Sequence, residues 1–165
     1  MKLYHGTNTY INEIDFNKCN PNKDFGQGFY LTDIKEQALL MAKRRAKIEK
    51  QGHPIIMEYE FDENHLDNES INVKIFDKPS KEWALFILSN RKSSSTTDQH
   101  SYDIVIGPIA NDGVVFQLER YENNIITLDV LVKELSYQKL NKQYCFTTTK
   151  AVSKLIKLWQ KSKPF

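Results

Sequence analysis

Apolar positions along this chain change their spacing several times, and each change predicts a change of element. Lys2 to His5 begins like a strand. Residues 8 to 23, rich in Asn and carrying Pro21, read as a loop. Gly28 to Thr32 is a short aromatic and apolar run that fits a strand. Asp33 follows as a good helix N-cap, with Glu36 placed to complete a capping box. Ile34, Ala38, Met41 and Ala42 fall on one helical face, and Gly52 suits the αL position that ends such a helix.

Ile55 to Phe61 alternates in part, as a half-buried strand does, and Ile71 to Phe76 alternates as well. Ser80 caps a helix with Trp83, Phe86, Ile87 and Asn90 on one face. Lys92 to Ser101 is a polar Ser/Thr loop, and Asp103 to Ile106 a short strand closed by Gly107-Pro108. Asn111 to Tyr121 and Thr127 to Leu135 read as helices, Gln143 to Thr147 as a strand, and Thr149 to Gln160 as a final helix. Strands and helices are mixed rather than strictly alternating, with no repeat or linker. That order predicts one α+β domain over residues 1–165 rather than a doubly wound parallel sheet.

Composition narrows the class without naming a function. A length of 165 residues suffices for one core, and 40% hydrophobic with 27% charged residues is ordinary for a soluble globular chain. An aromatic fraction of 12% argues against disorder. The net charge of +2 is too small to argue for nucleic acid. No window has the apolar length of a membrane span, and the N-terminus lacks the regions of a signal peptide. Cys19 and Cys145 are too few for a disulfide scaffold, so a reducing cytoplasm is the expected compartment. His5, His53, His65 and His100 have neither each other nor a cysteine at zinc-ligand spacing, and no metal is expected.

Candidate chemistry lies in three short segments far apart in sequence: Leu3 to Thr7, Asp24 to Asp33, and Gln143 to Phe146. Taken singly, each is bland. His5-Gly6 reads as a turn at a strand end, Gly26 and Gly28 as the needs of a bulge or tight turn, and Tyr30 as core. Gly26-Gln27-Gly28 precedes a strand rather than following one, so it is no Rossmann fingerprint. Lys43, Arg44, Arg45, Lys47 and Lys50 make the first helix basic, and Lys150, Lys154, Lys157 and Lys161 form a stripe on the last one. Each reads as a solvated face, or as a contact for nucleic acid or an acidic partner. Trp83 and Trp159 are expected to anchor the core, and Cys145 to be buried and inert.

Together the three segments resemble the ADP-ribosyltransferases of the diphtheria-toxin and poly(ADP-ribose) polymerase branch. His5-Gly6-Thr7 resembles that branch's first motif, Phe25 to Leu31 its Phe-Gly-x-Gly-Ile-Tyr-Phe run, and Gln143-Tyr144 its Glu-Tyr on a late strand. The chain is similar over most of its length to small bacterial proteins of this fold encoded beside small antitoxin candidates. That similarity includes Tyr59 to Asp62, Asn90-Arg91, Tyr102 to Pro108 and Gln143 to Phe146. The resemblance implies a split fold of two packed, mainly antiparallel sheets with flanking helices and a cleft between them. It also implies NAD⁺ as co-substrate and a His5, Tyr30, Gln143 catalytic set. Tyr4, His5, Gly6, Thr7, Phe25, Gly26, Gly28, Phe29, Tyr30 and Met41 would bind the dinucleotide.

The same resemblance supplies roles. His5 would hydrogen-bond the adenosine ribose, the Gly6 backbone the nicotinamide amide, and Thr7 a ribose hydroxyl. Tyr30 would stack on the nicotinamide ring, and Gln143 would hydrogen-bond the 2′-hydroxyl of the nicotinamide ribose. Two departures matter. Gln143 stands where the branch has Glu, and a neutral amide hydrogen-bonds but cannot act as a base, which favours mono-ADP-ribosylation over polymer synthesis. Met41 stands where many polymerases of the branch place a second stacking aromatic; its sulfur can pack on a ring, and a core role is the other reading. The implied partners are an acceptor macromolecule, protein before nucleic acid, and a small antitoxin protein. The alternatives are an NAD-binding protein with little transferase activity and an interaction module that keeps only the fold.

Overall fold

The computed structural model describes residues 1–92 and 100–158. In chain order the strands are β1 (Lys2–Thr7), β2 (Phe29–Leu31), β3 (Ile55–Phe61), β4 (Val73–Ile75), β5 (Ile104–Pro108), β6 (Lys142–Phe146) and β7 (Leu155–Leu158). The helices are α1 (Lys35–Glu49), α2 (Lys81–Lys92), α3 (Asp112–Glu122), α4 (Leu128–Ser136) and α5 (Thr149–Val152). One sheet has the order β1-β3-β7 and is antiparallel throughout. The other has the order β2-β6-β5-β4, antiparallel except where β4 lies parallel to β5. The architecture is α+β, with two mostly antiparallel sheets and flanking helices.

Alternation along the strands sets the layers. Phe29, Leu31, Ile104, Ile106, Tyr144 and Phe146 of the second sheet share one core with Leu3, Met57, Tyr59 and Phe61 of the first. The intervening residues Tyr30, Val105 and Cys145 turn to the other side, where Trp83 and Ile87 of α2, Val114 and Leu118 of α3, and Leu131 and Leu135 of α4 cover them. α1 packs on β1 and β3, on the face of the first sheet opposite Leu3. A Cβ added at Gly6 would lie 2.0 Å from the Ala38 carbonyl oxygen and 2.8 Å from Ala42 N. Glycine on the strand and two buried alanines on the helix therefore set how closely α1 approaches.

Both predicted ends of α1 are corrected. Ile34 occupies the N-cap position in extended conformation without a side-chain cap bond. Its N–H donates to Thr32 Oγ1 at 3.1 Å, and the Asp33 carboxylate instead accepts from the Tyr144 hydroxyl at 3.3 Å. At the other end Lys50, with φ 50°, takes the αL position expected of Gly52. Gly52 also has positive φ, where an added Cβ would strike the Asn8 carbonyl at 2.0 Å. Ser80 caps as expected, and Asn111 and Thr127 cap α3 and α4 as well, each side chain accepting a backbone N–H from the first turn.

The predicted final helix is wrong beyond its first turn. α5 stops at Val152, and β7 then pairs antiparallel with β3, Leu155 opposite Phe61 and Leu158 opposite Glu58. The helical spacing of Ala151, Leu155 and Leu158 misled because β3 needs a partner on its second edge, and Leu155 packs into the inter-sheet core from that position. Lys150, Lys154 and Lys157 hence form no helical stripe; Lys157 Nζ donates to the carbonyls of Ile11 and Asn12 at 3.2 and 2.7 Å. Trp159 and Lys161 lie outside the described residues, as does most of the predicted loop from Lys92 to Ser101. Among the described residues no helix is long and apolar enough to cross a membrane.

Candidate functional site

Among the described residues one backbone bridge joins the two sheets. Tyr4 N donates to the Thr32 carbonyl at 2.7 Å and Thr32 N to the Tyr4 carbonyl at 2.9 Å, an antiparallel bridge between β1 and the end of β2. Beside it, His5 Nδ1 lies 2.7 Å from the Tyr30 carbonyl oxygen. A carbonyl only accepts, so Nδ1 carries the proton and the neutral ring keeps Nε2 as an acceptor. Burial lowers the His5 pKa to about 4, with Arg45 and Lys23 adding to the effect against the Tyr30 hydrogen bond. At neutral pH the ring is uncharged. It stacks on Phe29 with centroids 4.4 Å apart.

Tyr30 is anchored by the turn that precedes it. Its hydroxyl donates to the Gly26 carbonyl at 2.7 Å and accepts from Phe25 N at 3.0 Å. Burial pushes that hydroxyl well above the usual tyrosine pKa. Gly26 has φ 79°, which only glycine adopts at little cost. Gly28 answers a different need: its Cβ would come within 2.5 Å of Cys145 Sγ and 2.9 Å of the Phe146 carbonyl. Cys145 itself is fully buried, and burial raises its thiol far out of the reactive range.

His5, Thr7, Gly28, Phe29 and Tyr30 line one cavity of about 790 Å³. That is within the range of small-molecule sites. The opposite wall is residues 8–15 and 18–20, with Arg45 and Glu49 of α1. Lys18, Lys23 and Arg45 line it together with Glu13, Asp15 and Glu49, Lys18 lying 4.0 Å from Asp15 and Arg45 3.8 Å from Glu49, while Lys23 Nζ sits 5.6 Å from the Tyr30 ring centroid. Thr7 Oγ1 donates to the Thr9 carbonyl at 2.9 Å and accepts from Thr9 N at 3.2 Å, so its hydroxyl is committed to shaping the loop. Such a cavity accommodates a flat ring against Tyr30, a hydroxyl on His5 Nε2, and an anionic group near the basic side chains.

The remaining predicted residues lie off this wall. Tyr4 forms the bridge, Gly6 lies under α1, Phe25 is fully buried, and Gly26 shapes the turn. Met41, expected on one face of α1 with Ala38 and Ala42, is instead 48% exposed while they are buried, and it does not line the cavity. Gln143 is half-buried on β6, on the same side of the sheet as Cys145 and its partner Tyr30. Its Nε2 donates to Asp24 Oδ2 at 3.4 Å, and Asp24 Oδ1 accepts from Arg91 Nε at 2.9 Å and Nη2 at 2.7 Å. His5 thus meets one end of the 24–30 segment and Gln143 the other.

Sequence reasoning assigned no role to Asp24, Arg91, Lys18 or Lys23, and read Arg45 as part of a basic face, solvated or in contact with nucleic acid or an acidic partner. Asp24 opened a quoted segment and Arg91 closed a quoted pair, but nothing in a linear pattern joins residues 67 apart. Among the described residues no three His, Cys, Asp or Glu side chains gather as a metal cage.

A family model described as "Protein of unknown function (DUF3990)" matches residues 1–157. No curated protein and no solved structure matches the chain.

Proposed function

The chain belongs to the DUF3990 family, and from that starting point we propose that it is a mono-ADP-ribosyltransferase with NAD⁺ as co-substrate. One observation carries the reading: His5, Gly28, Phe29 and Tyr30, drawn from two of the three short motifs, converge on one cavity. The protonation of His5 adds to it. A neutral imidazole with Nδ1–H spent on Tyr30 offers Nε2 to a sugar hydroxyl, whereas an imidazolium offers only donors. Lys23, beside the Tyr30 ring, suits a pyrophosphate, and the aromatic wall a nicotinamide ring. The finer fold assignment, an ADP-ribosyltransferase-like split pair of sheets, is part of the same proposal.

In the reaction the bond between nicotinamide and ribose C1′ breaks, and its electron pair leaves with neutral nicotinamide. The ribose carries the positive charge in an oxocarbenium-like transition state until an acceptor nucleophile bonds to C1′ and loses its proton. His5 and Tyr30 contribute by holding the dinucleotide in a reactive geometry. Gln143 contributes a hydrogen bond and no base, so single units are transferred.

A second reading is favoured by the same Gln143: an NAD-binding protein that turns over little or nothing. Calorimetric titration with NAD⁺, on wild type and His5→Ala, tests binding; release of nicotinamide and transfer of label from NAD⁺ to lysate components test chemistry. No binding by wild type removes both readings, and binding without nicotinamide release leaves only the second. By its resemblance the chain is further proposed to act as a toxin held by a small protein partner, since an unblocked NAD⁺-consuming enzyme harms the cell that makes it.

A further inference from the structure

We infer that Asp24 is a positioning residue that fixes the amide of Gln143, so that its Oε1 accepts from the 2′-hydroxyl of the nicotinamide ribose. The inference rests on the NAD⁺ reading above. An amide end is nearly the same shape either way round, and only its neighbours decide which end presents oxygen. Arg91 decides for Asp24 first. It occupies Oδ1 with two N–H groups, the planar fork that matches a carboxylate. Oδ2 then faces Gln143, and only Nε2 is compatible with it; the flipped amide would set oxygen against oxygen. Oε1 is left as the acceptor, without a hydrogen bond to any described residue. Both Asp24 oxygens are engaged, so Asp24 is not itself a free base.

This arrangement makes sense of a glutamine at that position. A glutamate presents an acceptor in either orientation and needs no such neighbour. A glutamine presents one only when held, and the Arg91–Asp24 pair does the holding. The pair is itself partly buried, with 29% and 14% of the side chains exposed, so its geometry is not that of a loose surface contact.

The test compares affinity for NAD⁺ with affinity for the analogue lacking the 2′-hydroxyl of the nicotinamide ribose. Wild type is expected to prefer NAD⁺ by about fivefold to tenfold, the effect of one neutral hydrogen bond. In Asp24→Asn the preference is expected to fall below about twofold, because the introduced amide can meet either end of the Gln143 side chain. In Asp24→Asn/Gln143→Glu it is expected to return, since both carboxylate oxygens accept. A merely structural loss at Asp24 would lower both affinities together and would not be rescued by Gln143→Glu. His5→Ala is expected to lower both affinities and leave the ratio unchanged. Arg91→Gln, which frees the carboxylate without touching the amide, is the second variant, and the ratio is expected to fall in it too. A wild-type ratio in either Asp24→Asn or Arg91→Gln overturns the inference, as does a double variant no better than Asp24→Asn. Wild type that binds both ligands equally overturns it while leaving the NAD⁺ reading intact; wild type that binds neither overturns that reading as well.

Discussion

The imidazole of His5 and the backbone carbonyl of Tyr30 are joined at 2.7 Å, so the first strand of one sheet reads its position from the first strand of the other. Burial of the ring, acting against that bond, makes His5 a sensor of pH through stability. Its folded pKa of about 4 lies below the unfolded value of 6.5, so between those pH values the unfolded chain holds a proton that the folded one lacks. The stabilisation is therefore complete above about pH 6.5 and is lost as pH falls toward 4, at most about 3 kcal/mol. Melting temperatures of wild type and His5→Gln from pH 7.5 to 4.5 check it. The wild-type curve is expected to fall more steeply, and parallel curves would show that the ring titrates normally.

Gly6→Ala is expected to destabilise by about 2 kcal/mol or more, because the new methyl meets helix backbone rather than a movable side chain. Gly113→Ala is the contrast. Its nearest neighbour would be Asn111 Oδ1 at 3.4 Å, it carries no positive φ, and it stands in the first turn of α3. A small gain, roughly 0.5 kcal/mol, is expected there from helix propensity and the stiffer unfolded chain. Denaturant midpoints decide both; equal midpoints for the two variants would mean α1 has room to move off β1.

Lys23→Ala and Arg45→Ala are expected to weaken NAD⁺ and ADP-ribose by similar factors, about threefold to tenfold each, and to leave nicotinamide unaffected. Affinity should also fall with added salt, since these side chains stand at the edge of the cavity rather than in the core. Binding that ignores both substitutions and salt would place the phosphates elsewhere.

Transfer products should carry one ADP-ribose unit per site, seen as a single shift on a gel. Elongation requires a base at an incoming ribose hydroxyl, and the Gln143 amide is not one. A ladder of products would contradict the assignment of Gln143.

Growth of a bacterial host gives the physiological test. Induction of wild type is expected to slow growth, His5→Ala/Tyr30→Ala to slow it far less, and co-expression of the neighbouring small protein to restore it. Equal slowing by wild type and the double variant would separate toxicity from the cavity.

Most of the fold was legible because its strands alternate over short lengths between clear turn residues, as at Ile55 to Phe61 and at Gly107-Pro108. What failed was decided at a distance. Leu155 and Leu158 have a helical neighbour in Ala151, but β3 offered them an edge, and pairing outweighed local spacing. Asp33 has the chemistry of a cap, yet Tyr144, from a strand more than a hundred residues away, takes its carboxylate. The site shows the same division. His5 and Tyr30 sit in motifs that a linear pattern carries, whereas the Arg91–Asp24–Gln143 chain exists only when α2, the 24–30 turn and β6 are folded together.

The bridge between Tyr4 and Thr32 divides what is fixed in this protein from what is free to vary. Residues 8 to 28 leave from one side of that joint and return to the other, and they supply most of the far wall of the cavity. Some of their bonds, such as Gln27 Nε2 to the carbonyls of Phe16 and Cys19, close the segment on itself, while Lys157 of β7 holds the Ile11 and Asn12 carbonyls and Gln143 of β6 meets Asp24. Substitutions at residues 9 to 15 of that segment can change what the cavity admits without touching the turn that anchors Tyr30. An engineer seeking to change what the cavity admits therefore has that one stretch of loop to work on.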